Sequence, residues 1–137
     1  MLNRRKIAVA LMFAAAPFGL ATLPATNLAH AAQPSKFTPA AFEAAKKAGL
    51  PILVEVSAPW CSVCRAQKPI LSELARQPKF AKLVILEVDF DSQKEILKSL
   101  KVQSQSTLIS YKGGKEVGRS TGVTNKSTIE SQLDKSI

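Results

Sequence analysis

The chain has 137 residues, 46% of them hydrophobic and 21% charged, with a formal net charge of +9. That length and balance suit one packed domain and exclude a disordered polar chain. The only histidine is His30, inside a stretch that reads as a leader, so the domain that follows has no Ser-His, Cys-His or imidazole–metal chemistry open to it.

Asn3, Arg4, Arg5 and Lys6 give a positive start, residues 7–23 are nearly all apolar, and Ala29-His30-Ala31 is a small-x-small triplet. This is the order of a secretory signal peptide over residues 1–31, with cleavage after Ala31. An uncleaved anchor is the alternative, but a span needs ~20 apolar residues and Pro17 and Gly19 interrupt this run. The residues after Arg4-Arg5 match a twin-arginine signal poorly. The expectation is therefore export into the periplasm by the general route, leaving a soluble domain over residues 32–137 with no stable membrane span. That domain keeps 16 basic and 10 acidic residues, a charge of about +6. The bases, among them Lys46, Lys68, Lys82, Lys98, Lys112 and Lys126, are scattered rather than clustered with aromatics, so no nucleic-acid face is expected.

In chain order, residues 32–36 are a polar lead-in. Thr38-Pro39 caps an alanine-rich helix that stops at Gly49 and Pro51. Residues 52–57 (ILVEVS) are a β-branched run that reads as a buried strand. Pro59-Trp60 makes a turn, and Ile70, Leu71 and Leu74 recur at helical spacing from Cys61 to about Arg76, with Pro69 inside. Residues 83–90 are a second strand. Ser92 reads as the N-cap of a helix to Leu100, with Glu95 at capping-box spacing. Residues 107–111 and 115–120 are strands joined at Gly113-Gly114, a two-residue hairpin signal. Asn125 caps a last helix with Ile129, Leu133 and Ile137 on one face. The order α-β-α-β-α-β-β-α, with crossover helices between the early strands, predicts an α/β fold with a mixed sheet ending in an antiparallel hairpin.

Only two cysteines are present, in Trp60-Cys61-Ser62-Val63-Cys64. As a structural staple the pair closes too short a loop to contribute much stability. As a closed zinc site it lacks two ligands. As a redox dithiol it is well placed, because a helix starting at Cys61 offers unpaired N–H groups and the positive end of its dipole to a thiolate. That lowers the pKa of Cys61 and makes it the exposed nucleophile, with Cys64 buried one turn further in as the resolving thiol.

Several spacings then fall in one register. They are residues 52–56 before Ala58-Pro59-Trp60-Cys61, Pro69 five residues after the second cysteine, Asp91 after the next strand, the hairpin from Thr107 to Gly114, and Gly122. With them the segment from Leu50 to the C-terminus resembles a thioredoxin. The resemblance implies a three-layer α/β/α sandwich in which Cys61 attacks a substrate disulfide, Cys64 resolves it and Trp60 shields the pair. It also implies that Glu55, where the family has a buried aspartate, relays the proton of the second cysteine. Burial between Val54 and Val56 should raise the pKa of such an acid.

Three positions depart from the family. Ser106, with Thr107 after it, stands where the family places a cis-proline that faces the CxxC loop and pairs with substrate. A cis bond before serine would cost ~3 kcal/mol, so a trans bond and open space near the sulfurs are expected. Ser62-Val63 replaces the family's Gly-Pro. Glu87 replaces a common lysine and is expected to face solvent rather than the buried acid. Residues 113–120 resemble a phosphate loop but lie in a hairpin, not before a helix, so nucleotide binding is not expected.

The leading expectation is a monomeric periplasmic thiol–disulfide oxidoreductase using Cys61, Cys64 and Glu55, with Trp60, Ser106 and Thr107 on the substrate side. It would need no cofactor and no metal. Its partners would be protein or small-molecule disulfides and an upstream thiol donor or oxidant. The alternative is a thiolate copper- or zinc-binding protein using the same pair.

Overall fold

The computed structural model describes residues 32–137, so the leader read over residues 1–31 lies outside the described residues. The elements are β1 (Ser35–Lys36), α1 (Pro39–Lys47), β2 (Ile52–Ser57), α2 (Ser62–Ala75), a 3-10 turn (Pro78–Phe80), β3 (Val84–Asp89), α3 (Lys94–Ser99), β4 (Thr107–Lys112), β5 (Lys115–Thr121) and α4 (Lys126–Asp134). They build one five-stranded sheet in the order β1-β3-β2-β4-β5. β2 runs parallel to β3 and antiparallel to β4, which pairs antiparallel with β5. Among the described residues no helix is long and apolar enough to cross a membrane.

All six residues of β2 are buried, as a central strand covered on both faces requires. Side chains alternate across the sheet. Ile52, Val54 and Val56 therefore pack into one core with Phe37, Leu86, Leu97 and Ile109. Leu53 joins the other core, with Leu71, Leu74, Phe80, Ile129 and Leu133 beneath α2 and α4. The same alternation sends Glu55 and Ser57 toward α2, and this is what builds the site.

Local signals act as read in most places. The Thr38 hydroxyl accepts the Ala41 N–H at 3.1 Å, and Gly49 (φ +65°) ends α1 in a Schellman motif, with Leu50 N–H to Ala45 O and Gly49 N–H to Lys46 O. Gly113 and Gly114 both have positive φ, as the tight hairpin between β4 and β5 demands. The Asn125 side chain accepts the Thr128 N–H and starts α4.

Three expectations are corrected. Residues 35–36 of the lead-in are an edge strand, paired with Leu86–Glu87, because extended backbone beside an open parallel edge gains ladder hydrogen bonds. Ser92 is not the cap of α3. Its N–H and hydroxyl both donate to Asp89 Oδ1, and the helix begins after Gln93. Ile137 lies beyond α4, exposed, with its carbonyl oxygen accepting from Lys112 Nζ.

Candidate active site

The turn after β2 delivers Cys61 to the N-cap of α2 rather than to its first turn. There its Sγ accepts the backbone N–H of Cys64 at 3.1 Å, one of the donors that a helix start leaves free. Cys61 and Cys64 are joined as a disulfide with their Cα atoms 5.3 Å apart. The expected exposure of Cys61 is corrected: in this disulfide form it is only 3% exposed, and Cys64 is buried as expected. The pair forms a small apolar cluster with Ala58, against which Val63 and Phe90 pack.

Trp60, expected to shield the pair, lies at the surface. The indole is 57% exposed, its Nε1–H donates to Asp91 Oδ2 at 3.0 Å, and its ring meets Phe90 edge-on at 6.3 Å. Phe90 packs against the cysteine cluster, and Trp60 packs edge-on against Phe90. An aromatic with an apolar body and a fixed polar edge, exposed beside a reactive pair, suits contact with a passing partner.

The loop before β4 contains no cis peptide bond, nor does any other part of the described chain. Ser106 instead takes a left-handed conformation, φ +57°. Its N–H donates to Val56 O at 2.8 Å, and its carbonyl oxygen accepts from Gly122 N–H and from Gln67 Nε2. Ser106 is buried, and its hydroxyl donates to Gln105 O at 2.6 Å. Thr107 is likewise buried and bonded to Ser104 O and Thr121 Oγ1.

Beneath the pair lies a charged cluster. Glu55 on β2 and Glu87 on β3 are register partners, so their side chains share the α2 face. Glu55 is 1% exposed, and its Oε1 has no hydrogen-bond partner. Burial first, and then the neighbouring Glu87 charge, push its pKa up from 4.5 to about 7, with Lys68 pulling the other way. Glu87 does not simply face solvent. It accepts from Ser57 Oγ at 2.9 Å and from Lys68 Nζ at 3.2 Å on each oxygen. No group of three or more His, Cys, Asp or Glu side chains among the described residues is arranged to hold a metal ion.

The Thioredoxin family model matches residues 33–135. The chain belongs to the thioredoxin family. Thioredoxin 1 of Nostoc sp. is 33% identical over 86 residues, which is 63% of this chain and 79% of that protein. Thioredoxin H-type of Fagopyrum esculentum is 36% identical over 81 residues, 59% of this chain and 68% of that one. Among solved structures, Trxlp from Edwardsiella tarda is 42% identical, with a TM-score of 0.72 over 74% of this chain and 98% of that chain. Thioredoxin NaTrxh of Nicotiana alata, 24% identical with a TM-score of 0.66, shows the same fold.

Within this thioredoxin-family chain, three residues of the site escaped the sequence reading. Lys68 reads in sequence as one more solvated base, yet it follows Cys64 by four positions and so shares its helix face. Ser57 follows Glu55 by two and shares its strand face. Phe90 gave no signal, since an aromatic at a strand end is ordinary core.

Proposed function

We propose that this protein is a thiol–disulfide oxidoreductase acting on protein or small-molecule disulfides in the cell envelope. One observation carries the reading: Cys61 caps α2 with its sulfur on the Cys64 N–H and is already bonded to Cys64. When the pair is reduced, that amide and the end of the helix dipole favour the charged sulfur of Cys61. Cys61 then attacks one sulfur of a substrate disulfide, that bond breaks, and the departing thiolate takes a proton. Cys64 gives up its proton and attacks Cys61 Sγ, and the second substrate sulfur leaves. The substrate gains two electrons, the pair loses two, and a thiol donor resets it; with an oxidant instead, the same steps run backward. Only two sulfurs are used, so no cofactor is required. Glu55, the register partner of Glu87, is an acid whose charge changes near neutral pH. The assignment to the envelope is supported by the charged, apolar and small-residue order of residues 1–31.

The reduced protein should cycle against oxidised glutathione and reduce insulin. Cys61→Ser should abolish both activities, and Cys64→Ala expressed in the periplasm should hold a substrate covalently through Cys61. Absence of cycling, with copper or zinc retained by the reduced pair instead, would favour the thiolate metal-binding alternative.

A further inference from the structure

We infer that Glu87 takes the proton of Cys64 when Cys64 resolves a mixed disulfide, with the Ser57 hydroxyl as the bridge and Lys68 holding the carboxylate in place. The inference rests on the dithiol reading above and assigns the base within it. Cys64, Ser57, Lys68 and Glu87 line one cavity of about 260 Å³, with Arg65 and Asp89 also on its wall. Glu55 lines a different cavity of about 390 Å³, between Lys68, Leu71, Ser72 and Arg76. Lys68 is the wall common to both. The acid that the family resemblance points to therefore does not share the resolving cysteine's cavity, and the acid that replaces a lysine does.

One hydrogen bond and the shared cavity give a route: the bond runs from Ser57 to Glu87, and Cys64, whose Sγ lies 3.9 Å from Val56 O, opens onto the same space. Ser57 Oγ already donates to Glu87 Oε1 at 2.9 Å, so it can accept the Cys64 proton while passing its own to the carboxylate. The Glu87 side chain is 33% exposed and paired with Lys68 at 3.2 Å, so it is open to solvent and held by a cation. Glu55 has no such support: its buried oxygen is unpartnered, and near neutral pH much of it already carries a proton. The other charges set around Glu87 are Lys36 on β1, Glu55 on β2, Arg65 on α2 and Asp89 on β3.

In the step itself, the Cys64 proton passes through Ser57 to Glu87. The Cys61–Cys64 bond forms, the bond from Cys61 to the substrate sulfur breaks, and the leaving thiolate is reprotonated from Glu87. Reduced protein mixed with Ellman's disulfide separates the two events. The first thionitrobenzoate release reports Cys61, and the second reports Cys64. Glu87→Gln should leave the first release unchanged and slow the second about tenfold near pH 6.5, the gap closing in alkaline solution, where bulk base can take the thiol proton. Ser57→Ala, which removes no charge, should slow the second release in the same pH range, and Glu87→Asp should restore most of the rate. A second release at the wild-type rate in both Glu87→Gln and Ser57→Ala, or a defect confined to Glu55→Gln, overturns the assignment. A wild-type protein that releases only one equivalent overturns the dithiol reading itself.

Discussion

Glu55 is a carboxyl in a strand whose six residues are all buried, and its ionisation is the most perturbed in the site. Its pKa is raised on folding, so the folded state holds the proton more tightly than the unfolded chain does. The stabilisation is fully present below about pH 4.5 and is lost as pH rises through about 7. The loss amounts to about 3 kcal/mol. Glu55→Gln should remove that slope and leave the protein more stable than wild type above about pH 7. Urea unfolding of the two oxidised proteins across this range measures the difference, and parallel pH profiles would contradict the assignment. Ser106 is a second residue-scale case. A left-handed serine costs on the order of 1 kcal/mol, and the chain holds it by hydrogen bonds to both its N–H and its carbonyl oxygen. Proline could not take its place in this geometry: its φ is fixed near −65°, and it has no N–H for Val56 O.

At the scale of elements, α2 carries the cysteines and is tied to the loops facing them by one buried side chain. Gln67 Nε2 donates to Val123 O at 2.9 Å and to Ser106 O at 3.3 Å, joining the segments that flank β4 and β5 to the helix. Gln67→Leu keeps the volume but strands the part-buried Val123 carbonyl and leaves Ser106 O only its bond from the Gly122 N–H. It should cost about 1 kcal/mol. It should also speed hydrogen exchange at the Ser106 and Gly122 amides, whose partners are Val56 O and Ser106 O. Unchanged protection at both amides would mean that the loop is held by its backbone alone.

For the molecule as a whole, β2 is the common wall of both cores: Ile52, Val54 and Val56 belong to one and Leu53 to the other. Neither core survives loss of the strand. The protein should therefore unfold in one cooperative transition, with Trp60 fluorescence at the active face and far-UV circular dichroism tracing the same curve in urea. Two separated curves would show that the active face opens independently.

The sequence by itself determined the α/β order, the central strand, the hairpin at Gly113-Gly114 and the redox pair. Each is written in local chemistry: alternation, β-branching, glycines that accept positive φ, and two cysteines one helical turn apart. It also marked Glu55 as an oddity, since a carboxylate inside an apolar strand is legible without coordinates. Only the tertiary structure decided how far the cysteines are buried, that Phe90 packs against them, and that the Ser106 hydroxyl turns onto its own loop. It alone brought Lys68 from α2 and Glu87 from β3 to one carboxylate cluster. Those outcomes depend on strand register and on which helix lies over which face. Contacts between segments far apart in the chain set both, and the spacing of residues within one segment carries no record of them.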